Sequence, residues 1–377
     1  MLKSLRGVRL VLKMGKNQPK GVPYDVIMAL TRIEVTDNAV ERDTFQMSFT
    51  AGKRKPKDYG ILSTGLFEPY TRVGISLTIG AKVEPLMSGV ITHFQLNPSN
   101  DAGMSSFTVT GEGIDVMLGL KERNAKYDQQ SDTTIVQGLV DKYARYGLNL
   151  DVASEAQGLD QPDDNHIIPR QYATDLAHIQ QLAARNGYVF YSDPLPNGDV
   201  RVYWGPENRK GKRQPPLTMN MGPSTNVTQL NFTQDTRSAF TSQGSRMQVD
   251  DDNRSEEDVP PPSRFDVNDL AKTVTSFGDR IVLMRDIAKY TTKRADERAS
   301  ELMKGRFNAV SATGEVDTVR YGHILRAGEL VGLRGAGALY NGDYYVSQVV
   351  HVIERDKYIQ RFTLNREGLG ATRNKVR

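Results

Sequence analysis

Apolar and polar residues alternate with a period of two along most of this chain, the pattern of strands buried on one face. Val8, Leu10, Leu12 and Met14 lie opposite Arg9 and Lys13. Ile33 and Val35, then Phe45, Met47 and Phe49, carry the period around a turn at Asp37-Asn38. It resumes at Val73, Ile75, Leu77 and Ile79, at Val90, Thr92, Phe94 and Leu96, and at Phe107 and Val109. Gly80, Pro85 and Asn97-Pro98 mark the turns between. Near the end come Val316, Leu325, Leu330 and Leu333, then Tyr344 to Ile353, then Tyr358, Gln360, Phe362 and Leu364. Asn341-Gly342 is a hairpin-turn signal beside this last group. Short strands separated by turns predict an antiparallel barrel or sandwich for the amino-terminal group.

Between them the period changes to that of a helix. After Ser131-Asp132, the residues Ile135, Val136, Leu139, Val140 and Tyr143 share one helical face, and Gly147 ends the run as a left-handed cap. Ser131 or Asp132 supplies the capping oxygen, worth about 1 kcal/mol. A second helix opens at Thr174 or Asp175, lines Leu176, Ile179, Leu182 and Ala183 along one face, and ends at Asn186-Gly187. Tyr188 to Tyr191 then leaves as a strand, and a turn at Pro194–Gly198 leads to Val200, Val202 and Trp204.

Leu217 to Gln248 is weakly strand-like, anchored by Val227, Leu230 and Phe232. The acidic run from Asp250 and the prolines at 260–262 predict an exposed linker without regular structure. A third helix is predicted from Ile287 to Met303, with Ala288, Thr291, Ala295, Ala299 and Leu302 on one face. The expected organisation is a first β domain at 1–118, an α/β domain at 119–205 and a β segment at 206–249. An exposed linker at 250–264, a helical segment at 265–305, a second β domain at 306–370 and a basic tail at 371–377 follow. The class is mainly β with α+β inserts.

The two ends resemble each other. GISLTIGAKVEPLMSGVITHFQLN (74–97) with FTVTGEG (107–113) runs parallel to residues 328–368. Each reads as a strand, a glycine-containing turn, a long strand and a closing strand ending in x-Glu-Gly, a two-fold internal repeat.

At 377 residues the chain has room for two or three domains. Its net charge of +4 is too mild to announce nucleic-acid binding. The absence of cysteine removes disulfides, thiolate catalysis and cysteine-ligated zinc together. No apolar run has the length of a membrane helix, and a reducing, cytoplasmic compartment is expected.

Candidate chemistry is sparse. His93, His166, His178, His323 and His351 have no histidine or carboxylate at metal-site spacing, so surface or strand-face positions are expected for them. Gly332–Gly337 and Gly111–Gly113 lack the helix that a phosphate-cradling loop requires and are expected to be tight turns. The acidic residues at 250–258 lack the central glycine and closing glutamate of a calcium loop. Two basic clusters remain: Lys53, Arg54, Lys55 and Lys57, and Arg209, Lys210, Lys212 and Arg213. Their ordinary role is solubility, and their sharper one is contact with an acidic partner or nucleic acid. No catalytic residue, metal or cofactor is expected.

The segments GEGIDVMLGL (111–120), SDTTIVQGLVDKYARYGLNLDV (131–152) and IPRQYATDLAHIQQLAARNGYVFYSD (168–193) resemble the central hub of contractile-tail baseplates. That family includes phage late-control D proteins, tail hubs of long-tailed phages and the amino-terminal part of type VI secretion VgrG proteins. The likeness runs from about residue 25 to residue 370 and rests on fold signatures, with no catalytic fingerprint. It implies a ring-like homotrimer with two similar antiparallel β-barrels and a small α/β domain per chain, set around a channel. It also implies a baseplate location after cytoplasmic assembly. One end would meet the tail tube or tube initiator and the other a spike, with other baseplate proteins around. The chain shows no spike-like repeats after Leu369, so a separate spike protein is expected. The alternatives are a tail-associated cell-wall hydrolase and a receptor-binding tail β-protein.

Overall fold

The computed structural model describes residues 8–55, 58–80, 82–101, 104–156, 169–235, 241–250, 253–259, 270–274, 281–284 and 308–372. A thirteen-stranded sheet built from both ends of the chain dominates it. The amino-terminal end contributes β1 (Val8–Gly15), the two-residue β2 (Lys20–Gly21), the short helix α1 (Tyr24–Ala29), β3 (Leu30–Asn38) and β4 (Thr44–Thr50). A small separate hairpin, β5 (Lys53–Lys55) with β6 (Asp58–Tyr59), precedes β7 (Arg72–Ile79), β8 (Lys82–Asn97) and β9 (Ser106–Gly113). Strand alternation places Ile33, Val35, Phe45, Met47, Phe49, Val73, Ile75 and Leu77 in one buried core, as their period predicts.

The middle unit holds β10 (Glu122–Lys126), α2 (Asp132–Asp141), β11 (Leu148–Val152), β12 (Arg170–Thr174), α3 (Asp175–Asn186), β13 (Val189–Pro194) and β14 (Val200–Gly205). In both helices the hydroxyl, and not the aspartate after it, makes the cap. Ser131 Oγ accepts from the Thr134 N–H at 3.1 Å, and Thr174 Oγ1 accepts from the Ala177 N–H at 3.2 Å. Asp175 is instead buried, accepting from Arg123 at 2.9 Å, Tyr143 at 2.9 Å and Gln171 at 2.7 Å. Gly187 closes α3 at φ 68°, a left-handed conformation that suits glycine. The apolar faces of α2 and α3 pack together with Val200, Val202 and Trp204.

The carboxyl-terminal part contributes β15 (Arg213–Thr218) and β16 (Val227–Gln234) to the large sheet. Outside it, β17 (Thr241–Asp250) pairs with β18 (Asn253–Val259), so the expectation of no regular structure fails for those seven residues of the linker. Asn253–Val259 pairs along one edge with β17, the strand just before it, which local charge and proline content do not report. The segment at 265–305 contains strands β19 (Ala271–Val274) and β20 (Ile281–Met284), where a helical segment is expected. The predicted helix at 287–303 lies outside the described residues. The sheet resumes with β21 (Val310–Asp317), α4 (Thr318–Tyr321), β22 (Leu330–Arg334), β23 (Gly342–Glu354) and β24 (Tyr358–Arg366), and β25 (Gly368–Ala371) pairs with β19.

The two halves of the sheet have one strand order. The first runs β3-β4-β9-β8-β7-β1, and the second runs β16-β21-β24-β23-β22-β15. Taken in chain order, each strand of one half corresponds to a strand of the other. Only the outermost pairing differs, being antiparallel for β1–β7 and parallel for β15–β22. The long strands β8 and β23 both pair with the preceding strand along their first part and with the following strand along their second.

Both long strands bulge just after that handover, at Thr92 and at Ser347. In each bulge the hydroxyl donates across to a carbonyl of the closing strand: Thr92 to Thr110 at 3.4 Å, Ser347 to Thr363 at 3.1 Å. A second pair of bulges sits at Thr31 and Thr228, whose hydroxyls donate to the Ser48 and Glu315 carbonyls at 2.9 and 3.1 Å. Registered on these anchors, Glu112 corresponds to Asn365, so the two x-Glu-Gly endings sit two residues out of step.

The halves are joined where β3 pairs with β23, from Gln348 opposite Asn38 to Glu354 opposite Arg32. Among the described residues no ring of strands closes into a barrel. Phe94, expected in a core, is 39% exposed. The Thr92 bulge shifts the strand, and no described strand flanks β8 on its outer side beyond it.

A glycine faces a phenylalanine across the same two strands in each half, with roles exchanged. Gly111 on β9 lies opposite Phe45 on β4, and Gly314 on β21 lies opposite Phe362 on β24. A Cβ on either glycine would overlap that ring and a neighbouring carbonyl. Gly111→Ala and Gly314→Ala are each expected to cost about 1–3 kcal/mol by overpacking, read by urea unfolding. Adding Phe45→Leu to Gly111→Ala should recover part of the loss; strictly additive losses would mean that the ring is not what the glycine accommodates.

Candidate functional site

The large sheet carries one mainly polar face that crosses the join, where it meets Val350. From strand to strand run Gln229, Glu315, Arg361, Val350, Thr36, Thr44 and Glu112. A second row passes through Glu34, Gln46, Thr110 and His93. Charges on this face are neutralised locally. Arg361 pairs with Glu315 at 3.6 Å, Arg32 with Glu34 and Glu354 at 2.7 Å each, and Arg42 with Glu112 at 2.6 Å. What remains is hydroxyl and amide surface, with a shallow depression of about 330 Å³ between Asn231, Thr313, Gln348 and Thr363. Among the described residues no group of three histidine or acidic side chains is placed to hold a metal ion.

Behind the face, acids are buried where the two halves meet the α/β unit. Asp37, one residue before the end of β3, accepts from the Ala327 N–H at 3.1 Å. Asp43 accepts from the Asn38 N–H at 2.9 Å, Ser192 donates to Asp115 at 3.4 Å, and Asp193 pairs with Arg201 at 2.5 Å. Burial, reinforced by the charge of Asp193, raises the Asp37 carboxyl to about 7. Burial likewise pushes Asp43 well above the ordinary carboxylate range and raises Asp115 and Glu329. Sequence reading treats Asp37-Asn38 as a turn and misses this cluster. The only local signal is a pair of aspartates, at 37 and 43, flanking one hairpin.

The expected basic residues divide. Lys53, Arg54 and Lys55 form β5, while Lys57 lies outside the described residues. Arg209 is buried, pairing with Glu207 at 2.8 Å and Glu367 at 2.9 Å and donating to Asn308 at 2.7 Å. Arg213 pairs with Asp343 at 2.7 Å. Lys210 and Lys212 are exposed. The second cluster is therefore two inward arginines that hold the fold and two outward lysines.

The histidines also divide. His351 is fully buried and lies 2.9 Å from the Tyr358 hydroxyl, and burial lowers it to about 3, so it stays neutral. His178 is buried against the Tyr127 ring, whereas His93 and His323 are exposed and His166 lies outside the described residues. Gly335 has φ 78° and packs on the Met219 carbonyl, the geometry of a turn and not of an anion cradle.

The model of a family described as the Alg8 N-terminal domain matches residues 20–355. No curated protein matches the sequence. Among solved structures, the 43 kDa tail protein of prophage MuSo2 from Shewanella oneidensis is similar at 14% identity and a TM-score of 0.61, with 96% of this chain and 98% of that chain covered. The tail protein from Neisseria meningitidis MC58 is similar at 12% identity and a TM-score of 0.61, with 97% and 98% covered. The E. coli c3393 protein, a component of the type VI secretion system, is similar at 14% identity and a TM-score of 0.55, with 92% and 77% covered. At these identities the likeness is one of fold: a mainly β fold shared with tail and type VI secretion proteins. No helix among the described residues is long and apolar enough to cross a membrane.

Two outcomes are expected from the buried charges. A carboxyl with a raised folded-state pKa contributes stability at low pH that is lost as pH rises through that value. The buried histidines oppose this only below their ordinary value of about 6.5. The thermal midpoint should therefore fall between pH 6.5 and 8, and Asp37→Asn should flatten the fall; an unchanged slope in the variant would remove Asp37 as its source. Arg209→Ala strands Glu207 and Glu367 in the interior and should cost about 3–5 kcal/mol. Lys210→Ala and Lys212→Ala should stay within about 0.5 kcal/mol by the same urea titration.

Proposed function

This chain belongs to the Alg8 N-terminal domain family; from the fold it shares with tail proteins, we propose that it is a structural hub of a contractile tail or injection machine, not an enzyme. The observation that carries this reading is the doubled half-sheet. Two six-strand sets with one order and matched bulges share a single polar face. Three chains would present six similar modules, enough to match a six-fold tail tube at one end while remaining three-fold for a spike at the other. In that ring each half completes a barrel, and the polar face lines the channel, where neutralised charges and hydroxyls let cargo pass without sticking. The work is mechanical: matching symmetry and transmitting load.

The partners in this reading are two further copies of the chain, a spike, the tube or its initiator, and other baseplate proteins. Assembly is cytoplasmic, and the final location is the baseplate. Lys210 and Lys212, with Lys53, Arg54, Lys55 and Lys57, are the cations available for an acidic partner or passing nucleic acid. Multi-angle light scattering on the purified protein over a concentration series tests the ring. A mass three times the 42.0 kDa chain is expected; a strict monomer, or a two-fold assembly, would count against the hub.

A further inference from the structure

The contact that joins the two halves has a second set of partners, both present in the chain and not joined to each other. Along its first part β23 receives β22; past the Ser347 bulge, β3 takes the same side. The counterpart of β23 is β8, which receives β7 up to Val90 and bulges at Thr92. Past that bulge, on the side that β3 would occupy, no strand among the described residues pairs with His93–Asn97. The counterpart of β3 is β16, which pairs with β21 on one side and with no described strand on the other. One chain thus holds one completed join and both edges of another.

Side-chain burial agrees. Val349 and His351, covered by β3, are each 0% exposed. Their counterparts, counted from the bulges, are Phe94, at 39% exposure, and Leu96, half-buried. Exposed backbone donors and acceptors beside an uncovered phenylalanine make an edge that invites another strand.

We propose that β16 of one copy adds antiparallel to the β8 edge of the next copy, in the register of the internal join. That register sets Gln95 opposite Thr233, Leu96 opposite Phe232 and Asn97 opposite Asn231, as Val350, His351 and Val352 stand opposite Thr36, Val35 and Glu34. Leu96 and Phe232 then extend the apolar side; Phe232 is already held by stacking on Tyr340 at 4.3 Å. Gln95 and Thr233 continue the polar face from copy to copy. The two edges are different surfaces, so the contact is head-to-tail and closes where the rotation per copy allows. The proposal rests on the hub reading for the number of copies, but not for the pairing itself.

The chain has no cysteine, so introduced thiols report cleanly. Gln95→Cys and Thr233→Cys proteins, mixed and treated with a short bis-maleimide, should give a covalent dimer. Gln95→Cys mixed with Thr228→Cys, at the far end of β16, should give at least tenfold less. The double variant in one chain should give a ladder ending at the closed assembly. Phe94→Glu, at an exposed position, should keep the thermal midpoint and weaken self-association at least tenfold. Trimers without the Gln95–Thr233 link would overturn the edge pairing and leave the hub reading standing. The link in an assembly of another size would support the pairing and overturn the three-fold stoichiometry. Monomers with no link, or a link formed only within one chain, would overturn the pairing outright.

Discussion

A strand edge must be paired or solvated, and in this molecule one bent strand in each half decides which edges are paired. β8 and β23 each serve two hairpins in succession, and a hydroxyl-anchored bulge marks the change of partner. The bulge twists the strand so that one side becomes free after the handover. In the second half that side takes β3, and through it the two ends of the chain become one sheet. The polar face that spans both halves follows from that join.

The period-two alternation made most of the core legible. Ile33 to Phe49 and Val73 to Leu77 are buried as their spacing requires. Both helices were legible from their apolar faces, and their caps resolved to Ser131 and Thr174 because a hydroxyl reaches the N–H two residues past its neighbour while the aspartate is taken up elsewhere. Phe94 is the exception. Alternation assigns it to a buried face, but burial also needs a neighbouring strand, and none of the described strands supplies one. Asn253–Val259 shows the converse: its composition argues for a solvated linker, yet it folds back as a hairpin on β17, the strand just before it.

Charge was the least legible feature. Arg209 and Lys210 are adjacent in sequence, yet one is buried among Glu207, Glu367 and Asn308 while the other is exposed. Glu207 lies two residues from Arg209, but Glu367 and Asn308, which complete its burial, come from far along the chain. The same holds for Asp37 and Asp43, from one hairpin, and Asp115, from another segment, which are buried together at one junction beside Asp193. Burial raises the carboxyls of Asp37, Asp43 and Asp115, and their protonation ties the packing at this junction to pH.

The central claim is that six half-sheets, two from each of three chains, make one ring. Electron cryomicroscopy of the assembled protein, at a resolution that traces strands, tests it most directly. The account predicts a three-fold ring in which the β3-containing and β16-containing halves alternate around a channel faced by Thr36, Gln229 and Arg361. A ring with the two halves at different radii, or with that polar face buried against a neighbour, would contradict it.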